Sequence, residues 1–387
     1  MSALRVAYDV SAALDQGAGI GRYVRELGAA LESLPGGPEL LPYATRGAGG
    51  GGGAFAGRHP VRMLGVGSRA WRVLSYASQA TRIPLPGWPA PCDLVHATDG
   101  VTPFTGSVPA VVTVHDLSFL RTPEFHTPLN RAALSHIVPR ATRNARLVIA
   151  DSNATARDLE SAYGLDPARI RVIYPGCDLE RFRPLLAEDP RPVLARYGIT
   201  QPYLLFVGTL EPRKNLVGLI DAYERLAADG LDHRLVLAGS PGWGMAAIEA
   251  RLASQRLGHR VIRAGRVAEE DLPTLYRAAD AFVYPSHYEG FGMPPLEAMA
   301  CGTPVVTSNR SSLPEVVGDA GLQVDPENVA SIASALIELL RTAPLRERLR
   351  AQGPLRAARF TWRRAAEQVA AAYVEAASKP LPKGVTT

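Results

Sequence analysis

Apolar residues in this chain come in short unbroken runs instead of alternating with polar ones. In the first half these runs are "LRVAYDV", "CDLVHAT" from Cys92, "PAVVTVHDL" from Pro109 and "ARLVIADS" from Ala145. The second half repeats the habit with "YLLFVGTL" from Tyr203, "HRLVLAGS" from His233, "RVIRAGR" from Arg260, "DAFVYPS" from Asp280 and "TPVVTS" from Thr303. Continuous Val/Ile/Leu runs separated by amphipathic segments predict parallel strands buried on both faces by helices. The expected architecture is α/β, with two doubly wound domains in tandem.

The segment "RVIYPGCDLERFRPL", Arg171 to Leu185, has a Pro-Gly turn and no periodicity, as a linker would. The predicted division is 1–180 for the first domain, 190–360 for the second, 361–378 for a last helix and 379–387 for a disordered tail. Before that helix, "SIASALIELLRTAPLRERLRAQG" reads as another one. The glycine-rich stretch Arg46 to Pro60 reads as a loop. Ser68 to Trp88 reads as a helix carrying Arg69, Arg72 and Arg82 beside Trp71, Leu74 and Tyr76. Such a helix either covers a sheet or lies on an anionic bilayer.

Length and composition agree with this picture. The chain has 387 residues, 47% hydrophobic and 20% charged, enough for two ordinary cores. No apolar run reaches the roughly 18 to 20 residues of a spanning helix, so a cytoplasmic protein is expected. Cys92, Cys177 and Cys301 are scattered, without the spacing of a disulfide framework or zinc site. A net charge of +5, spread along the chain, gives no nucleic-acid footprint but suits acidic small ligands or an anionic membrane surface. Only three of the 42 basic residues are lysines, Lys214, Lys379 and Lys383. An internal lysine in so arginine-biased a chain points to a site that uses a compact ammonium.

Four loops carry candidate chemistry. "YPSHYEGFGMPPLEAMACGTPVV" puts Glu289 and a Gly290-Phe291-Gly292 loop after one strand, with Met293 and a Pro-Pro step leading into a helix whose first turn is expected to hold Glu297. Ligands bind open α/β sheets at that carboxyl edge, where helix starts favour anions. "FVGTLEPRKNL" ends another strand in Gly208 and Thr209, with Arg213 and Lys214 before a helix start near Asn215. This combination best fits a phosphate or diphosphate. "DQGAGIGRYVREL" places Gly17, Gly19 and Gly21 before a helix that starts around Arg22, and "VVTVHDL" brings His115 and Asp116 to a strand end that is expected to face the interdomain cleft. Each feature also has an ordinary explanation: a dipole-complementing Glu297, solvated loop charges, a core histidine. A GxxxxGK[ST] loop is absent, as is any Asp-x-Asp pair, so no bound metal is expected and charge neutralisation falls to Arg213, Lys214 and helix dipoles.

With these residues in view, the chain resembles glycosyltransferase family 4, retaining enzymes of the GT-B fold that use nucleotide sugars without metal. "EGFGMPPLE" is similar to the family's Glu-x7-Glu motif, "GTLEPRKNL" to its donor-phosphate segment, "GAGIGRY" to its N-terminal glycine loop and "VHD" to its active-site histidine. "IYPGCDLERFRP" resembles the linker and "FTWRRAAEQ" the start of the final helix. The resemblance implies two Rossmann-like domains facing across a cleft, the first binding acceptor and the second donor, with the last helix packing toward the first. It implies that Glu289 holds the donor sugar's hydroxyls, Glu297 the ribose, and the backbone of Gly290 to Met293 the sugar and phosphates. Arg213 and Lys214 would stabilise the leaving nucleoside diphosphate, His115 would lie under the sugar, and Gly19 and Gly21 would let the first domain approach the diphosphate. Where many members carry Gly-Arg, this chain has Gly208-Thr209, so one usual phosphate ligand is missing. The "GTLEPRKN" form resembles mannosyltransferases, which implies mannose transfer from GDP-mannose to a glycan, a lipid-linked or another hydroxyl acceptor in polysaccharide biosynthesis. The enzyme would need no cofactor and would be cytoplasmic; the helix around Trp71 and the modest positive charge add the expectation of peripheral association at the inner face of the plasma membrane. The alternatives are a UDP- or dTDP-sugar donor, a nucleotide-sugar epimerase, and a non-catalytic nucleotide-sugar-binding module.

Overall fold

A computed structural model describes residues 3–16, 19–46, 55–184, 189–253 and 257–378. Gly17, Lys379, Lys383 and the expected disordered tail 379–387 lie outside the described residues, as does most of the glycine-rich loop. The chain forms two compact units, Met1–Gly176 with Thr361–Thr387, and Cys177–Phe360.

The first unit holds strands β1 (Arg5–Asp9), β2 (Glu39–Arg46), β3 (Arg62–Gly67), β4 (Leu94–Ala97), β5 (Ala110–Val114), β6 (Leu147–Ala150) and β7 (Ile170–Val172). They form one sheet in the order β3-β2-β1-β4-β5-β6-β7, with every pairing parallel. The second unit holds β8 (Tyr203–Val207), β9 (Arg234–Ala238), β10 (Val261–Gly265), β11 (Ala281–Tyr284), β12 (Val305–Ser308) and β13 (Leu322–Val324). Their order is β10-β9-β8-β11-β12-β13, again parallel. Strands β4, β5, β6, β11 and β12 are buried along their whole length, as apolar runs covered on both faces must be.

Each sheet reverses its winding once, at β1/β4 in the first unit and β8/β11 in the second. Right-handed crossovers place helices on opposite faces on the two sides of that point, which opens a crevice at the strands' carboxyl ends. The segment read as linker contributes β7, and the helix predicted from Ser331 onward is two helices, Val329–Arg341 and Ala343–Ala357, broken before Pro344. The final helix, Trp362–Ser378, belongs to the first unit. Its buried face runs Trp362, Ala365, Ala366, Val369, Ala372, Tyr373, Ala376. There the Tyr373 hydroxyl meets His96 Nδ1 at 2.6 Å, and Arg171 pairs with Glu375. Cys177 and Cys301 are buried and Cys92 is half-buried.

Candidate active site

The β8/β11 crevice gathers the charged residues of the second unit. After β8 the chain passes Gly208 and the exposed Thr209, and makes a 3-10 turn, Pro212–Lys214. Asn215 then takes a left-handed conformation (φ 56°) and caps the helix Leu216–Ala228 by accepting from the Gly218 N–H at 3.2 Å. This cap stops the turn from merging with the helix and turns Arg213 and Lys214 toward β11. The loop after β11 is tied to the same turn, since the His287 N–H donates to the Arg213 carbonyl at 2.9 Å.

Glu289 joins the two loops. Its Oε1 lies 2.6 Å from Lys214 Nζ and its Oε2 3.1 Å from Arg213 Nη1. Arg213 Nη1 also donates to the Tyr288 carbonyl at 2.6 Å, and Nη2 to Glu211 at 2.9 Å. Lys214 Nζ donates further to the Tyr284 hydroxyl at 2.9 Å. These groups are nearly sealed, with side-chain exposures of 9% for Lys214 and Glu289 and 16% for Arg213. Burial alone would raise the Glu289 carboxyl, but Arg213 and Lys214 overcome it and hold the group down at about 2. Burial, with Arg213 adding to it, lowers Lys214 while Glu289 opposes the shift. Glu289 is therefore a carboxylate with both oxygens engaged, keeping two clustered cations charged and aligned.

The glycine loop is fixed by side chains that were not singled out in the sequence. Ser312 Oγ bonds to the carbonyls of Glu289 and Phe291 at 2.9 and 2.7 Å, and the Glu289 N–H donates to Ser311 Oγ at 2.8 Å. Gly290, Phe291 and Gly292 are buried and Met293 half-buried. Gly292 has φ 110°, which a side chain would strain, and it starts the helix Met293–Ala300. Glu297 departs from expectation: it is the fifth residue of that helix, past the first turn, and 4% exposed. Its Oε2 accepts from the Tyr276 hydroxyl at 2.9 Å. The Pro-Pro step falls at the second and third helical positions, one residue later than a start at Pro294 would give, and this carries Glu297 out of the first turn.

In the first unit, His115 directly follows β5 with both ring nitrogens committed. Nδ1 lies 2.6 Å from Asp151 Oδ2 and Nε2 2.8 Å from the Thr98 carbonyl, while the Tyr23 ring stands edge-on at 4.8 Å. A carbonyl only accepts, so Nε2 carries a proton, and a carboxylate at Nδ1 calls for a second. Burial would lower the imidazole's affinity for protons, but Asp151, Asp99 and the Thr98 carbonyl raise it to about 9. Burial in turn pushes Asp151 up, against the pull of His115. Asp116 accepts from the Ser118 N–H and Oγ at 2.8 and 2.6 Å. Gly19 caps the helix Ile20–Ser33, which begins two residues earlier than expected. A Cβ on Gly21 would lie 2.0 Å from the Gln16 carbonyl oxygen, so that glycine serves close backbone packing.

Arg213, Lys214 and Glu289 are thus brought together beside Gly208, Thr209 and the Gly290 to Met293 loop, with Glu297 behind them on Tyr276. His115, Gly19 and Gly21 belong to the other unit. Asp151, Glu211, Ser311 and Ser312 were not foreseen. Asp151 had a readable signal, because it follows β6 just as His115 follows β5.

Two Rossmann-like domains with polar side chains gathered at the switch points define the GT-B class. The fold matches sucrose-phosphate synthase from Thermosynechococcus elongatus over 96% of this chain and 98% of that one, with a TM-score of 0.75 at 22% identity. The family model for glycosyltransferase family 4 matches residues 17–181 and that for glycosyl transferases group 1 matches residues 195–356. The O-antigen chain mannosyltransferase B of Escherichia coli is 37% identical over 68% of this chain and 70% of the relative. The D-inositol 3-phosphate glycosyltransferase of Mycobacterium tuberculosis is 35% identical over 69% of this chain, which spans 57% of that relative's length. The chain belongs to glycosyltransferase family 4 and is a glycosyltransferase of GT-B fold.

Proposed function

We propose that the protein is a retaining, metal-independent hexosyltransferase that moves mannose from GDP-mannose onto a glycan or lipid-linked hydroxyl acceptor at the cytoplasmic face of a membrane. The observation that carries the reading is the convergence of Arg213 and Lys214 on Glu289 at the β8/β11 switch point. The choice of mannose rests on the likeness to the O-antigen mannosyltransferase.

In this reading the donor diphosphate meets Arg213 and Lys214, with the Gly290 to Met293 backbone beside it. The anomeric carbon–oxygen bond breaks, its electron pair leaves with the diphosphate, and the two cations stabilise the charge that appears there. The acceptor oxygen attacks the same face of the oxocarbenium-like carbon, and its proton passes to the departing phosphate oxygen. Glu289 orients the cations and the sugar hydroxyls; ion-paired at both oxygens, it does not act as the nucleophile. His115, doubly protonated and anchored, contributes position and positive charge instead of acting as a base. In this reading Arg213 and Lys214 do the work that a metal ion would do on the diphosphate.

The test is a panel of GDP-, UDP- and dTDP-sugars incubated with and without glycan acceptors, read by mass spectrometry, with a chelator in parallel. Transfer from GDP-mannose with the α-configuration kept and no loss on chelation is expected. Isomerised donor without acceptor would indicate an epimerase, and binding without turnover of any donor a binding module.

A further inference from the structure

The helix Ser68–Thr81 has its polarity inverted. Its buried residues are Trp71, Ser75, Ser78 and Gln79, three of them polar. Ser78 Oγ donates to the Ile83 carbonyl at 2.6 Å and accepts from the Phe104 N–H at 3.1 Å, and Gln79 Nε2 donates to the Thr102 carbonyl at 2.9 Å. The outward face, spaced by three and four residues, carries Arg69, Ala70, Val73, Leu74, Ala77 and Ala80. Val73 is 68% exposed, and Ile83 just beyond the helix 64%. A helix that merely covers a sheet turns its apolar stripe inward. Here Trp71 follows that rule, with Tyr76 half-buried against the same cluster, while the rest of the buried face is polar.

The neighbouring helix Pro128–Asn144 extends the face. It runs in the same direction, with Tyr76 edge-on to His136 at 6.3 Å and beneath Arg140 at 4.7 Å, and presents Leu129 at 83% exposure. The charge carried by these two helices has one sign. Between Glu39 and Asp93 the sequence has no acidic residue but six arginines, and between Glu124 and Asp151 none but four. Arg62, Arg69, Arg82 and Arg131 are exposed among them.

We propose that this face docks on an anionic bilayer. Val73, Leu74, Ile83 and Leu129 enter the boundary between headgroups and acyl chains, while the arginines meet lipid phosphates. A second copy is the poorer occupant, because a two-fold contact of this face with itself would set arginines against arginines. Both helices follow strands of the parallel sheet, so their first turns lie at the carboxyl edge, where His115 sits. Docking would bring that edge to the membrane surface, which suits a lipid-linked acceptor; only this last point rests on the transferase reading.

The test is flotation of the full chain with vesicles of phosphatidylcholine alone and of equal parts phosphatidylcholine and phosphatidylglycerol. Binding to the mixed vesicles only is expected. It should fall tenfold or more in V73S/I83S/L129S, and likewise in R69E/R131E, since each arginine near an anionic surface is worth about fivefold. Transfer to a water-soluble acceptor, measured on the same preparations, should not change. Equal binding by wild type and both variants, or none by wild type, overturns the proposal whatever the activity. Concentration-dependent dimerisation abolished by V73S/I83S/L129S, with no vesicle binding, also overturns it in favour of self-association. Vesicle binding as expected with no transfer to any acceptor would leave the docking face standing and remove the transferase reading instead.

Discussion

The two domains share a frame but fill their switch points with opposite electrostatics. In the second, two cations, Arg213 and Lys214, are balanced by Glu211 and Glu289. In the first, His115 stands among Asp151, Asp99 and Asp116, with Arg72 also acting on Asp99 and with Asp9 at the end of β1 raised to about 6, chiefly by burial. On the proposed reading a diphosphate would meet two cations at the second and mostly carboxylates at the first. Acceptor hydroxyls, which donate to carboxylates, suit the first. On the proposed reading, one topology would supply complementary halves of a transfer reaction, with the loops after equivalent strands deciding which half.

The comparison breaks most visibly at Lys214. Changing Lys214→Ala should lower kcat by about a thousandfold, the scale of losing a preorganised charge on a leaving group. Wild-type turnover in the variant would show that the second domain's cations are structural. Next in size are the glycines. Gly21→Ala forces a Cβ against the Gln16 backbone and should cost about 3 kcal/mol in denaturant unfolding. Gly292→Ala meets only the flexible Leu313 side chain, at 2.7 Å, and strains φ, for about 1–2 kcal/mol. If the two costs were reversed, the glycine loops of the two domains would have exchanged roles.

The domains also respond to pH in opposite senses. Glu289 is depressed to about 2, so its contribution to stability is present above the ordinary glutamate value and lost as pH falls toward 2. Glu289→Gln should lower the melting temperature at neutral pH and flatten its decline below pH 4.5. His115 is raised from 6.5 to about 9, so its contribution is complete below 6.5 and lost as pH rises through 9. Asp151→Asn should remove that alkaline decline, a change of a few degrees. An unchanged alkaline limb in Asp151→Asn would mean that His115 is not charged in the fold.

Most of the strands that were legible in the sequence were the buried ones, because a run such as "AVVTV" has no other stable place than inside a parallel sheet; β10 was read from "RVIRAGR" although it is only half-buried. Strand β2 was hidden by Pro42, which argues against a strand interior, and β3 by Gly65 and Gly67 on a half-exposed edge. Strands β7 and β13 span three residues each, too few to show a period. At the site, Arg213, Lys214 and Glu289 were readable because each lies in a loop between a strand and a helix. Their pairing was not, since Lys214 and Glu289 are 75 residues apart and meet only through sheet order. The inverted face of the helix Ser68–Thr81 was also unreadable: Trp71 and Val73 look equally buriable in sequence, and only the packing separates them.

The final helix has a consequence for how the molecule is made. His96 and Arg171 wait for Tyr373 and Glu375, which the ribosome adds only after all of residues 177–360. The second domain can therefore complete its core during synthesis while the first, though begun earlier, stays open on one side. The order of translation and the order of folding are inverted, and a nascent chain stalled before Trp362 would expose the surface of the first domain that this helix covers.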